Sequence, residues 1–218
     1  MSRKVAVKSK RPQLNAERIA LSALALVDAG NLESLSFRLL AKDLKCEAMS
    51  LYHYYPSKAH LLDAMVDLYV AEMQWPDPSL PWQARLRFMA LEYRAAALRH
   101  PGFFQFISLY RMNSRSGLSL LNGILEIYAA PGLSVEMQAK HFRVMGYYLV
   151  GACLDETRGY AKGPSAANPV PMEEARSLFP AIMAVGRFFA PEFHAPIFET
   201  GLDFLIAEIE REIARHLV

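Results

Sequence analysis

Between Phe37 and Lys58 the chain reads FRLLAKDLKCEAMSLYHYYPSK, with polar and aromatic residues set outside two short apolar stripes. Phe37, Leu40, Ala41 and Leu44 recur at i, i+3, i+4 and i+7, and Ala48, Leu51, Tyr52 and Tyr55 repeat that spacing. The pattern predicts two helices, each with one buried face. Outward on the second lie Glu47, Met49, Ser50, His53 and Tyr54. The chemistry open to such a set is hydrogen bonding and apolar contact. A short helix held by a neighbour and carrying these side chains is what a helix-turn-helix offers to a major groove. An ordinary helical hairpin produces the same stripes, so the flanking charge must separate the two.

That charge is uneven. Residues 1–58 hold ten Lys+Arg against five Asp+Glu, net +5, while residues 59–218 hold fourteen against seventeen, net −3. A basic front end is joined to a mildly acidic body. Arg3, Lys4, Lys8, Lys10 and Arg11 crowd the first eleven positions, which lack apolar periodicity. Residues 1–13 therefore read as a basic flexible arm. Beside a helix-turn-helix, such an arm raises affinity for the phosphates of double-stranded DNA.

Patterns for catalysis are missing from the sequence. It contains no HExxH, GxSxG, P-loop or dinucleotide fingerprint. His53, His60, His100, His141, His194 and His216 are scattered without metal-ligand spacing. Asp155 and Glu156 are adjacent, and neighbours on a helix do not face each other. No catalytic residue, metal or cofactor is expected. Cys46 and Cys153 lie far apart in unrelated contexts, which argues against a disulfide framework and for a reducing cytoplasm. No run reaches the roughly 18 apolar residues of a membrane span. No apolar stretch follows the basic N-terminus as a secretory signal would require. With 218 residues and 53% hydrophobic content, the chain can bury a sizeable core.

The elements that must position the outward residues are helical throughout. A first helix is predicted from about Asn15 to Ala29, with Ile19, Ala23, Leu26 and Val27 inward and Gly30 as its stop. Ser36 can cap the second helix. Pro56 ends the third near Tyr55. Ser57 can cap a fourth, whose buried stripe is Leu62, Met65, Val66, Tyr69 and Met73. Three prolines within six residues make WPDPSLPW, Trp75 to Trp82, the clearest boundary. It separates a domain at 14–74 from one at 79–218. Further helices are expected at Pro81–Arg99 (closed by His100-Pro101-Gly102), Phe103–Met112, Gly117–Ala130 and from after Ser134 to about Ala161. Two more cover about Met172–Phe189 and Ala195–Leu217. The Gly-, Pro-, Ser- and Ala-rich stretch Lys162–Pro171 reads as a mobile loop.

Two of these helices suit a partner chain. Val144 to Leu154 is apolar on all sides, with Gly146, Gly151 and Ala152 allowing close approach. The terminal helix carries Leu202, Leu205, Ile206, Ile209, Ile213 and Leu217 at heptad-like spacing. Both could be the core of a larger monomer. A homodimer through the helices near 135–161 and 195–217 is preferred, because a helix-turn-helix normally reads two half-sites from a two-fold pair.

These residues carry a family resemblance. Leu14 to Val70, with SFRLLAKDL, SLYHYYPSK and the following Leu-Leu, resembles the DNA-binding domain of TetR family transcriptional regulators. The remainder resembles the tetracycline-repressor type of C-terminal domain. The matching residues there include Trp82, Tyr93-Arg94, His100-Pro101, Gly132-Leu133-Ser134 and Gly146-Tyr147, with FETGLDFL (Phe198 to Leu205) completing the pattern. The implied fold is all-α: an N-terminal three-helix helix-turn-helix DNA-binding domain plus a C-terminal helical ligand-binding and dimerisation domain. The implied function is a ligand-responsive DNA-binding regulator, a repressor released from a palindromic operator by a small apolar or aromatic effector. The alternatives are a regulator with no effector and a helical small-molecule-binding protein whose hairpin only packs.

Carried over residue by residue, the resemblance implies DNA contact by Ser36, Phe37 and Arg38 at the start of the second helix. It implies the same for Ala48, Met49, Ser50, Tyr52, His53 and Tyr54 on the third helix, and for Lys58 opening the fourth. Ser36, Arg38 and Tyr52 can donate to phosphates, while Met49 and His53 are placed for base edges. Lys58 opposes its helix dipole unless a phosphate docks there. Many family members place Gly where Lys45 stands, so either Lys45 is left-handed or the turn closes differently. For the effector the aromatic cluster suggests Phe88, Phe103, Phe104, Phe106, Ile107, Tyr110 and Met112. Met145 and Tyr148 come from the long helix, and Arg94, His100 and Asn113 are the polar orienting groups. Members that bind magnesium–tetracycline use a histidine on their sixth helix. Phe104 to Leu109 has none, so a metal-free ligand is expected.

Overall fold

Asn15 opens the first helix by accepting a hydrogen bond from the Arg18 amide at 2.8 Å, and α1 runs Ala16–Ala29. The computed structural model describes residues 14–30, 32–159 and 165–216. The arm expected at 1–13 and the first part of the loop expected at 162–171 lie outside these residues. In α1 the buried side is Ile19, Ala20, Ala23, Leu24 and Val27; Leu26 is half-buried instead of buried.

Ser36 caps α2 (Phe37–Leu44), its Oγ accepting from the Leu39 amide at 3.2 Å. Lys45 then takes φ 55° and ψ 46°, the left-handed region. The Lys45 amide donates to the Lys42 carbonyl and the Cys46 amide to that of Ala41, the paired bonds of a Schellman stop. The turn therefore closes in the left-handed way although no glycine occupies it. It leads into α3, Ala48–Tyr52, whose buried residue is Leu51. Tyr55 lies beyond the helix end and is buried too, its hydroxyl donating to the Ala16 carbonyl at 2.8 Å. Tyr52, expected in the buried stripe, is 45% exposed, because α3 ends there and only Leu51 faces the packed side. α1 packs on α2, and α2 on α3.

α4 spans Lys58–Ala71. Ser57 caps it, its carbonyl accepting from Leu61 N and its Oγ from His60 N. The buried stripe begins with Leu61 in place of Leu62, then follows Met65, Val66, Tyr69 and Met73. The chain divides into two compact units between Leu68 and Tyr69, within α4. The proline-rich stretch lies in the second unit, where the Trp75 indole fills the space beside Gly123. A Cβ at Gly123 would sit 2.5 Å from Trp75 Cη2.

The second unit contains α5 (Trp82–Arg99), α6 (Pro101–Ile107), α7 (Arg115–Ala129), α8 (Val135–Arg158), α9 (Met172–Leu178), α10 (Pro180–Val185) and α11 (His194–His216). α6 begins earlier than Phe103 and stops at Ile107, because Pro101 suits the first helical position. Ser114 and Ser134 cap α7 and α8. The single helix expected at 172–189 is broken at Pro180, which holds Phe179 at φ −130° and ψ 54°, and 3-10 turns follow at Gly186–Phe189 and Pro191–Phe193. α5 and α8 form the centre, with α7, α6 and α11 packed against them. No strand occurs among the described residues, and no helix among them is long and apolar enough to cross a membrane.

Lys45→Gly should stabilise the protein by about 1 kcal/mol, since glycine carries no left-handed penalty. Urea unfolding of the full chain checks this, and a lowered midpoint would contradict the reading of the turn.

Candidate nucleic-acid interface and body cavity

The α2–α3 pair positions a small outward face. Arg38 is exposed two residues after the Ser36 cap. On α3, Met49 is 71% exposed, with His53 and Tyr52 exposed beside it and Ala48 and Ser50 half-buried. Phe37 is only 8% exposed. Its ring meets Tyr52 edge-on at 4.5 Å, so it supports the tyrosine from below and is not itself on the surface. Tyr54 donates its hydroxyl to the Leu14 carbonyl at 2.9 Å, which ties the start of the chain's described part to the end of α3. Nothing in the sequence pattern signalled that tie.

Lys58 has a structural task. Its ammonium donates to the Leu32 carbonyl at 3.1 Å and the Leu35 carbonyl at 2.8 Å. These carbonyls belong to the connection between α1 and α2. An ammonium has three N–H donors, so one remains for an outside acceptor. The cation at the N-terminal end of α4 is thus compensated by carbonyl dipoles within its own unit.

In the second unit a cavity of about 130 Å³ opens between α5, α7 and α8. Leu86, Met89, Ala90 and Tyr93 line it from α5; Leu120, Leu121, Ile124 and Tyr128 from α7; Phe142, Met145, Gly146 and Leu149 from α8; Met73 and Met112 complete it. Burial pushes the Tyr93 and Tyr128 phenols well above the ordinary value. Of the residues expected to meet an effector, only Met112 and Met145 line this cavity.

The others have different places. Phe103 and Phe104 are solid core, Phe103 packed on Tyr69 and Phe106, Phe104 edge-on to Tyr93. Ile107 is buried, Phe106 lies tilted against Tyr110 at 5.3 Å, and Phe88 and Asn113 are exposed. The reason is that α6 is short and lays its aromatic face into the core instead of around a void. His100 pairs with Glu72 at 2.9 Å. Arg94 makes a two-bond pair with Glu156, at 2.7 and 2.5 Å, and sits over the Phe198 ring. Those bonds raise its already high pKa. Tyr148 serves helix packing, donating to the Phe198 carbonyl at 2.8 Å and occupying the space that a Cβ at Gly201 would need. Cys153 is buried in this region, its thiol pushed up to about 12 by burial and then by Glu156. The missed lining of α7 was visible as Leu120, Leu121, Ile124 and Tyr128, an i, i+1, i+4, i+8 stripe.

A second recess of about 170 Å³ lies between α8 and α11, its polar end made by Lys140 and His141 on Glu212. Hydrogen bonds from Lys140 and then His141 hold the Glu212 carboxyl below the usual range. Along the same two helices Val144, Tyr147, Ile197 and Phe204 are exposed, and no atom lies within 4 Å of where a Cβ would stand at Gly146 or Gly151.

The first unit, α1 to α3 with most of α4 and an outward α3, has the arrangement of a helix-turn-helix head, and the second is a helical body with an apolar cavity. Residues 75–213 match the family described as tetracyclin repressor-like, C-terminal domain, and the protein belongs to that family, the TetR regulators. The transcriptional repressor DrrR1 of Streptomyces coeruleorubidus is 31% identical over 148 residues, 65% of this chain and 53% of that protein, so the chain spans about half of that relative's length. The class G tetracycline repressor protein of Vibrio anguillarum is 25% identical over 202 residues, 91% and 95% of the two chains. In fold the chain is similar to a possible TetR family regulator of Streptomyces coelicolor, with TM-score 0.73 at 24% identity, covering 90% of this chain and 99% of that one.

Lys58→Ala should lower the unfolding free energy by about 1 kcal/mol, because it strips a donor from two backbone carbonyls. Thermal unfolding without DNA checks this; an unchanged midpoint would mean the two bonds contribute nothing.

Proposed function

We propose that the protein is a homodimeric repressor that grips a palindromic DNA operator and lets go when a small apolar or aromatic effector enters its body. The observation that carries the reading is the outward face of α3, Met49, Tyr52 and His53 beside Arg38, on a rigid unit within the chain's cationic part. Ser36, Arg38 and Tyr52 donate to phosphates and set register, with the remaining N–H of Lys58 adding a further backbone contact. Met49 and His53 read base edges, Met49 by apolar contact with thymine methyls. Ala48, Ser50 and Tyr54 border that surface.

Two copies pair through α8 and α11, which covers Val144, Tyr147, Ile197 and Phe204. Their two α3 helices would then meet half-sites about 34–36 Å apart or a multiple of it. The cavity between α5, α7 and α8 takes the effector. ActR of Streptomyces coelicolor, similar in fold with TM-score 0.69 at 23% identity, has been solved in complex with actinorhodin, which supports a ligand-bearing body. α4 is one continuous helix from Lys58 to Ala71, and its Tyr69 packs on His100 and Phe103. An effector that binds the released state more tightly than the DNA-bound state shifts the balance, and DNA must then weaken effector binding equally.

Binding of the selected operator should weaken linearly with log salt concentration, as phosphate neutralisation requires. Arg38→Ala should weaken all sequences alike and reduce the slope by about 1, while Met49→Ala should change sequence preference and leave the slope intact. Fluorescence anisotropy measures both. Unaltered binding by both variants, or a lone subunit in sedimentation at micromolar concentration, would sink the proposal.

A further inference from the structure

We propose that the α5–α7–α8 cavity selects an uncharged ring compound carrying a carbonyl or ether oxygen, to which the phenol hydroxyls of Tyr93 and Tyr128 donate. This rests on the effector reading above and names the chemistry of that ligand.

No charged side chain lines the cavity. A carboxylate or ammonium entering it would lose its hydration and find no counter-charge. Apart from thioether sulfur, the two phenols are the polar side-chain groups in the lining. Tyr128 is 1% exposed, and its ring is held edge-on to Phe142 at 6.3 Å; Tyr93 is held edge-on to Phe104 at 5.7 Å. Neither hydroxyl has a hydrogen-bonding partner among the described residues. Tyrosines elsewhere do: Tyr54, Tyr55 and Tyr148 each donate to a backbone carbonyl, and Tyr147 accepts from Arg143.

A phenol hydroxyl that borders an apolar cavity and has no protein partner is free to donate to a ligand acceptor there. Burial also keeps both phenols protonated, so they act as donors. The site is therefore matched to an acceptor and mismatched to an anion.

Size adds a second constraint. A volume of about 130 Å³ holds one aromatic ring, since an apolar cavity of about 150 Å³ takes benzene. Met73, Met89, Met112 and Met145 line the cavity from separate segments. Their unbranched side chains can shift to admit a larger ring system.

Titration calorimetry of the full-length dimer with three probes of equal heavy-atom count tests this: acetophenone, isopropylbenzene and benzoate. Acetophenone should bind about three- to tenfold more tightly than isopropylbenzene, and benzoate should not bind. Tyr93→Phe and Tyr128→Phe, with unfolding midpoints checked, should erase that preference and leave isopropylbenzene unaffected. Equal binding of the two neutral probes, or Phe variants that keep the preference, would overturn the phenol-donor inference and leave the effector cavity standing. Tightest binding by benzoate would overturn it as well. If none of the three binds, both the inference and the effector reading fall.

Discussion

Lys45 occupies a left-handed conformation, φ 55° and ψ 46°, and the direction of α3 depends on it. One residue turns the backbone from α2 into the extended Glu47, which starts α3. The Schellman bonds from Lys45 and Cys46 back to Lys42 and Ala41 hold the bend. Once the bend is set, Leu51 and Tyr55 are buried and Met49, Tyr52 and His53 face outward. A β-branched residue at this position would suffer more, and an extended conformation there would carry α3 away from α2. The neighbouring contacts over-determine the turn and offset the cost of a left-handed lysine. The Tyr55 hydroxyl fixes the far end of the segment to the start of α1, so α3 is pinned at both ends although it is only five residues long. Propensity alone would not stabilise so short a helix.

The second unit solves a different problem, keeping an apolar space open without collapse. α5 and α8 flank the cavity and are tied beside it by the two-bond Arg94–Glu156 pair, which is mostly shielded from solvent. Removing one partner would leave the other charge buried without compensation, which is far more damaging than losing a surface pair. Also on α8, Tyr148 fits the space left by Gly201 on α11 and lies beside Phe198, over which Arg94 sits. Leu120, Leu121, Ile124 and Tyr128 of α7 form the remaining wall of the cavity. Proteins fill their interiors closely, so a retained void needs walls that cannot close on it.

Much of the head was legible because its signals are local. Ser36 and Ser57 cap where a hydroxyl should cap, whereas α3 stops at Tyr52, short of the end near Tyr55 that Pro56 suggests. The Met49 and His53 side of α3 followed from spacing alone. The misplacements have physical causes. Leu61 and Leu62 are adjacent, and periodicity cannot say which of the two faces inward until α4 has a neighbour. Pro180 was a visible breaker that the apolar run around it obscured. The effector set followed the aromatic residues of α6, but aromatic rings fill space efficiently and become core. The cavity is lined mainly by methionine and leucine, with Tyr93, Tyr128 and Phe142 among them, from α5, α7, α8 and the segments at Met73 and Met112. Whether an apolar face meets another face or a void is a property of tertiary packing, and no single helix encodes it.

Polar groups in this chain divide by whether the fold itself satisfies them. In the head, Lys58, Tyr54 and Tyr55 direct hydrogen bonds to backbone carbonyls, while Arg38, Met49, Tyr52 and His53 are left exposed. In the body, Arg94, His100, His141 and Tyr148 are similarly engaged by Glu72, Glu156, Glu212 and the Phe198 carbonyl. Such engaged groups cannot be ligand contacts without first breaking a bond that the fold uses. Arg94, His100 and Tyr148, expected on residue type to meet an effector, already hold partners within the fold. Tyr93 and Tyr128 are left by that reasoning, because no bond has to be surrendered before either hydroxyl meets something new.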